Sequence, residues 1–220
     1  MKSQWWSIYT SALTVFLCLN VSAKQIQIVD QNGDPVKNAV VSIAMEKIAN
    51  EASDNVPSLP VAIMDQIDQQ FSPEVLVIQK GQQVTFPNSD EIRHHVYSFS
   101  AINPFEIKLY KGSHGAPVQY TKAGVGVLGC NIHDNMIGFI YVADNEIAKV
   151  TSQTGIVTFN QSLPDEITVW HAGLSIQQTE RIKIPIDSED ENIRVTVNIL
   201  QKEKEEESNR FGSRKFGKHG

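Results

Sequence analysis

A cysteine, a histidine and a methionine fall within seven residues of one another in Gly129-Cys130-Asn131-Ile132-His133-Asp134-Asn135-Met136. This short loop lies between two apolar runs, Val125 to Leu128 and Ile137 to Val142. A soft thiolate and thioether beside an imidazole suit copper, whereas zinc sites draw on sulfur, nitrogen and carboxylate, and calcium and magnesium sites on oxygen. A copper electron-transfer set is two histidines and a cysteine in a trigonal arrangement with a long, weak axial methionine, so one more histidine is required. Arg93-His94-His95-Val96-Tyr97-Ser98-Phe99 supplies it on an alternating, strand-like run. Alternation puts His95, Tyr97 and Phe99 on one face and His94, Val96 and Ser98 on the other. The first face is the more apolar, which by itself favours His95 as the inward ligand.

A CxxH pair alone is weak evidence, because cysteine and histidine also occupy cores for packing reasons. Met136, the upstream histidine and the strand context strengthen it. The other histidines read differently: His114, between Gly112 and Gly115, as a solvated loop residue; His171, at a strand end after Trp170, as a hydrogen-bonded structural residue; and His219 as part of the tail. Tyr97, Phe99, Tyr110 and Phe139 read as core packing. The motifs SxxK, GxSxG, HExxH and the glycine-rich phosphate loop are absent, and the carboxylates are scattered. The chain therefore reads as a binding or carrier protein and not as an enzyme.

Positioning such ligands takes rigid elements, and the chain reads as β throughout. Lys24 to Asp30 and Val36 to Ala44 alternate around the turn residues Gln31-Asn32-Gly33-Asp34-Pro35, the pattern of a hairpin. Met45 to Pro57 loses periodicity and reads as a linker. Strand-like runs then follow at short spacing: Val61 to Phe71, Val75 to Ile78, Val84 to Phe86, Val96 to Phe99, Phe105 to Tyr110, Pro117 to Tyr120, Val125 to Leu128 and Gly138 to Val142. Short strands at such spacing predict a sandwich or barrel. Thr151 to Phe159, Leu163 to His171, Ile182 to Ile186 and Ile193 to Leu200 add four more segments. Residues 201–220, with Glu205-Glu206-Glu207 followed by Arg210, Arg214, Lys215 and Lys218, hold too little apolar surface to bury and read as a charged, disordered tail.

Met1-Lys2, an apolar stretch from Ile8 to Leu19 and Val21-Ser22-Ala23 before Lys24 form the pattern of a cleavable secretory signal peptide over residues 1–23. The apolar run falls short of the roughly 20 residues that span a bilayer, and Leu17 stands where a lipid-attachment signal at Cys18 needs a small residue. A periplasmic mature chain from Lys24, without a membrane span, is the expectation. Its one cysteine is then Cys130, which excludes an intramolecular disulfide and places a lone thiol inside a ligand-spaced motif. From Lys24 to Leu200 there are 12 Lys and Arg against 21 Asp and Glu, a formal net charge of −9. Such a surface repels nucleic acid and favours a protein partner with a basic docking face.

Two resemblances sharpen this picture. Val84-Thr85-Phe86-Pro87-Asn88-Ser89-Asp90-Glu91-Ile92-Arg93-His94-His95-Val96 resembles the cupredoxin segment in which an asparagine precedes the first copper histidine by six residues, and the CxxHxxM loop is similar to the short ligand loop of the amicyanins. The resemblance implies a plastocyanin-like Greek-key β-sandwich over residues 58–146. It also implies one type 1 (blue) copper site with ligands His94, Cys130, His133 and Met136. Asn88 and the backbone amides near Asn131 would support the thiolate, and Ile132 and Ile137 would flank the edge of His133 where electrons pass. The spacing from Asn88 favours His94, against the alternation that favours His95. Where cupredoxins often carry asparagine or threonine, this chain has His95. Val29-Asp30-Gln31-Asn32-Gly33-Asp34-Pro35-Val36, with Thr151 to Phe159 and the Leu163-Pro164 corner, resembles the carboxypeptidase regulatory-like, transthyretin-like sandwich. That second resemblance implies a small sandwich built from residues 24–57 and 147–200, with the copper domain inserted in its loop; two sequential domains are the alternative. The function implied is a periplasmic carrier of single electrons between redox partners. The alternative is a copper-binding, storage or partner-docking module without an electron-transfer role.

Overall fold

The computed structural model describes residues 23–45, 59–113, 116–133 and 135–200. Residues 1–22 of the expected signal peptide, all but Met45 of the expected linker over 45–57, His114, and the tail over 201–220 with His219 lie outside the described residues. The described chain is all-β apart from one 3₁₀ turn, Ala172–Leu174. Its strands in chain order are β1 (Lys24–Val29), β2 (Val40–Ala44), β3 (Ala62–Ile63), β4 (Asp65–Ile67), β5 (Gln70–Ser72), β6 (Val75–Gln79), β7 (Gln83–Thr85), β8 (His94–Ser98) and β9 (Phe105–Tyr110). They continue with β10 (Val118–Gln119), β11 (Gly124–Gly129), β12 (Ile137–Ala143), β13 (Glu146–Val150), β14 (Ile156–Phe159), β15 (Glu166–Trp170), β16 (Arg181–Pro185) and β17 (Asn192–Thr196).

The strands sort into two groups by sheet. The middle of the chain forms a five-stranded sheet, β6-β12-β11-β8-β9, a three-stranded sheet, β10-β7-β3, and the small ribbon β4-β5. Met64, Phe71, Ile78, Val84, Phe86, Val96, Ile107, Leu128 and Ile140 pack a core that also takes in Cys130 and Met136. The two ends of the chain share two further sheets, β14-β1-β17 and β13-β2-β15-β16. Their own core includes Ile26, Ile28, Val41, Ile43, Val157, Phe159, Ile167, Val169, Ile193 and Val195.

The expected hairpin of β1 with β2 does not form. β1 pairs with β14 and β17, β2 pairs with β13 and β15, and the turn at Asp30–Pro35 carries the chain from one sheet to the other. The reason is the burial of β2 on both faces: Val41 and Ile43 point into the terminal core, while Val40 points into a third apolar cluster between the two halves. A strand covered on both sides cannot be half of a solvent-facing hairpin. The turn is held instead by Asp30, whose carboxylate accepts from the amides of Asn32 (2.8 Å) and Asp34 (2.9 Å).

The third cluster joins the halves: Val40, Val75, Val125, Phe139, Tyr141, Ala143 and the fully buried Trp170. The Trp170 ring lies 5.2 Å from Phe139 and 6.4 Å from Tyr141, centroid to centroid. Ser42, Tyr141, Glu146 and Arg181 satisfy one another's polar atoms beside it, with Ser42 Oγ donating to Glu146 Oε2 at 2.7 Å. A second departure concerns Val61 to Phe71, expected as one strand-like run. It is broken into β3, β4 and β5, because Asp68 and Gln69 both take positive φ (53° and 62°) and turn the chain back on itself.

Two residues of the terminal half make testable demands. Gly155 has φ of +72°, and a Cβ there would lie 2.4 Å from the carbonyl oxygen of Ile28. Gly155→Ala should therefore destabilise the chain by about 1–3 kcal/mol or more in denaturant unfolding. His171 caps the 3₁₀ turn by accepting the Gly173 amide on Nδ1 at 3.0 Å, and burial pushes its pKa below the ordinary 6.5. The folded state then binds fewer protons than the unfolded state, so this contribution is complete above about pH 6.5 and is lost as pH falls through and below that value. Thermal melts should show a steeper acid-side fall for the wild type than for His171→Asn, which keeps the acceptor and removes the titration.

Candidate metal centre

The ligand loop is a consequence of sheet register. β11 and β12 pair antiparallel from Gly124↔Val142 down to Gly129↔Ile137, so residues 130–136 close a seven-residue loop pinned at both ends. Within it the amide of Met136 donates to the carbonyl of His133 (3.0 Å) and that of Ile137 to Asn135 (3.1 Å), which curls the loop back toward the sheet. Gly129 is also where β11 meets β8, opposite Tyr97. A Cβ at 129 would stand 2.6 Å from the Tyr97 ring, so glycine there leaves room for that ring where the two strands approach. That approach carries β8, and with it His94, to the loop.

His94, Cys130 and His133 present ligand atoms that all lie within 4.8 Å of one another. His94 Nδ1 is 3.7 Å from Cys130 Sγ, and the two imidazole rings are 5.4 Å apart. His94 is 0% exposed, Cys130 4% and Met136 1%. Met136 shares the apolar cluster with Cys130 and lines the same surface hollow. The structure thus brings together the four residues singled out in the sequence and separates His95 from them. His95 turns to the opposite face, where Nε2 meets Glu106 Oε1 at 2.9 Å and the ring lies 5.5 Å from Tyr97. An irregularity in the β8–β9 pairing between His94 and Val96 accompanies this change of side. The apolar face marked out by alternation is the one turned away from the ligands: His95 is buried there at 6% exposure, while Phe99, expected in the core, is 84% exposed and packs on Tyr97 at 5.0 Å.

The surrounding groups hold the histidine segment. Asn88, expected beside the thiolate, acts on the backbone: its Nδ2 donates to the carbonyls of Ile92 (3.0 Å) and Tyr110 (2.9 Å), its Oδ1 accepts the Asp90 amide, and its own main chain pairs with Gly112. The amide that reaches Cys130 Sγ is that of Ile132, at 3.5 Å. Asp90 was not singled out in the sequence. Its Oδ2 lies 2.6 Å from His94 Nε2, and its carboxylate also accepts the amides of Asp68 (2.7 Å) and Gln69 (2.9 Å). Burial raises its pKa, but the Gln69 amide, the His94 ring and the Asp68 amide outweigh that and hold it below the ordinary carboxylate value. Its spacing four residues before His94 is the one signal in the sequence.

The donor set fits copper. The buried Nδ1 of His133 has no hydrogen-bond partner among the described residues, which a protein ordinarily avoids unless another group satisfies the lone pair. Two imidazoles and a cysteine sulfur, with no carboxylate in the group among the described residues, and the methionine sulfur of the same loop are the soft set that copper prefers. Ile132, next to His133 in the loop, and Ile137, at its end, are 47% and 38% exposed.

No protein-family model and no curated protein matches the chain. Similar solved structures include the copper-containing nitrite reductase of Thermus scotoductus SA-01, with 27% identity over 43% of this chain and a TM-score of 0.36. The match spans about a quarter (24%) of the reductase's own length. The purple cupredoxin of Nitrosopumilus maritimus is similar at 21% identity over 37% of this chain and 99% of its own, with a TM-score of 0.34. A reduced amicyanin variant is similar at 21% identity over 38% of this chain and 82% of its own, with a TM-score of 0.34.

The two adjacent histidines can be told apart in solution. His94→Ala should abolish Cu(II) binding in a calorimetric titration of the full chain, whereas His95→Ala, which loses only an imidazole–carboxylate contact on the far face, should bind one equivalent as before. The reverse ranking would assign the ligand to His95.

Proposed function

We propose that this chain is an exported, cupredoxin-like carrier of single electrons, with one type 1 copper held by His94, Cys130, His133 and Met136. The observation that carries the reading is the convergence of two imidazoles and the Cys130 thiol within 4.8 Å of one another, with the buried Met136 thioether alongside. Copper in such a set supplies a one-electron couple whose two oxidation states both accept the geometry. The residues contribute rigidity and dryness. His94 stands on the paired strand β8, while Cys130 and Met136 flank the closing pair of β11 and β12, so the ligands have little freedom to rearrange. Burial of His94, Cys130 and Met136 keeps water from the donor atoms. The Ile132 amide on Sγ withdraws density from the thiolate, and the exposed Ile132 and Ile137 give a partner an apolar place to approach His133.

The reading extends to organisation and place. Residues 24–57 and 147–200 form one transthyretin-like sandwich that receives the copper domain, residues 58–146, in its loop; the pairing of β1 and β2 with strands from the far end of the chain supports this. The signal-peptide pattern supports export to the periplasm. No helix of the described residues is long and apolar enough to cross a membrane. The acidic balance of residues 24–200 favours a redox partner with a basic docking face.

The full mature chain loaded with Cu(II) should bind one copper and show an intense visible thiolate-to-copper band that dithionite bleaches reversibly. Cys130→Ser should lose that band. A band that survives the substitution, or a colourless Cu(II) form of the wild type, would sink the type 1 assignment. Copper removal should also lower the melting temperature, since a ligand bound only by the native state stabilises it.

A further inference from the structure

Asp90 joins two parts of the molecule that the copper reading treats separately. An ionised carboxylate only accepts, so the 2.6 Å contact makes His94 Nε2 the protonated nitrogen and leaves the lone pair on Nδ1, which faces Cys130 Sγ at 3.7 Å. The same carboxylate takes the amides of Asp68 and Gln69, the two positive-φ residues that turn β4 into β5. That turn is not remote from the ligands: Asp68, Gln69 and Gln70 line one surface hollow together with His133, Asn135 and Met136. A second tie runs alongside, where Ser89 donates both its hydroxyl (2.7 Å) and its amide (3.2 Å) to Asp65.

We propose that Asp90 is a positioning residue that sets the tautomer and orientation of His94 and, through the Asp68 and Gln69 amides, anchors the β4–β5 turn against the segment bearing His133 and Met136. The assignment rests on the copper reading for its effect on metal binding, and on geometry alone for the tautomer. Histidine ligands whose far nitrogen is held by a carboxylate are more basic and cannot rotate away, and loss of such a partner typically costs 10–100-fold in metal affinity. Here one carboxylate orders a ligand on one side of the site and a wall on the other.

The test compares Asp90→Leu, which is close in size and accepts nothing, with Asp90→Asn, which still accepts from Nε2 but sets an NH₂ group against a turn amide. In the full chain, Asp90→Leu should lower Cu(II) affinity roughly 10–100-fold and speed amide exchange at Asp68 and Gln69. Asp90→Asn should regain most of the affinity and raise the reduction potential, because a negative charge near the metal has been removed. The tautomer is read without metal: nitrogen-15 spectra should show His94 protonated on Nε2 in the wild type and in Asp90→Asn, and a mixture in Asp90→Leu. Unchanged tautomer, unchanged turn exchange and affinity within roughly threefold of the wild type in Asp90→Leu would overturn the proposal. If Asp90→Leu fails to fold, Asp90→Asn decides: an unshifted potential together with unprotected Asp68 and Gln69 amides in the wild type would overturn it. A wild type that binds no copper but shows the Nε2–H tautomer and protected turn amides would sink the copper reading and leave the positioning role standing.

Discussion

The closing pair Gly129↔Ile137 is the contact on which the site depends. It holds the two ends of the ligand loop at strand-pair distance, so Cys130 and Met136 leave the sheet side by side. The same Gly129 pairs with Tyr97 of β8, the strand that brings His94 from a segment more than 30 residues away in sequence. A side chain at 129 would meet the end of the Tyr97 ring, which would have to move aside. Ligand convergence is thus a product of backbone register, and the hydrogen bonds of Asn88 and Asp90 refine a position that the sheet has already imposed.

The second constraint is the join between the two halves. Trp170 comes from the terminal strands and Phe139 from β12, three residues beyond Met136, and they pack against each other in the same apolar cluster. Burying an aromatic of this size contributes on the order of 2–3 kcal/mol, enough to matter against a marginal net stability. Tyr141, two residues further along β12, extends the contact into the Ser42–Glu146–Arg181 network. The chain then passes from β12 into β13 through Asp144 and the positive-φ Asn145 alone, so the sheets cannot separate far. The strand that ends the ligand loop is therefore stiffened from outside its own sandwich.

The faces of β8 show how packing overrides a local pattern. His95, Tyr97 and Phe99 are the more hydrophobic set, yet they face away from the thiol, with His95 buried against Glu106, Tyr97 half-buried and Phe99 largely in solvent. The inward set, His94, Val96 and Ser98, is smaller, and the space beside Cys130 accommodates an imidazole whose polar atoms are met by Asp90 and the thiol. Burying a polar ring costs little when both nitrogens are satisfied.

By itself the sequence determined a donor set suited to copper and the all-β class of fold. Cys130, a histidine three residues on and a methionine three beyond that leave few choices of metal, and period-two apolar runs with turn residues between them allow little but β structure. The Asn88-to-His94 spacing also named the histidine that the structure places at the site. Tertiary structure alone decided which sheet each strand joins and which face each side chain takes. β1 and β2 look like neighbours because their local alternation is that of a hairpin, yet β2 is buried on both sides, a property of what packs on it and not of its own residues. Asp90 was illegible for the same reason: a carboxylate four residues before a histidine is ordinary in sequence, and its meaning comes from the Asp68 and Gln69 amides that a separate turn brings to it through space.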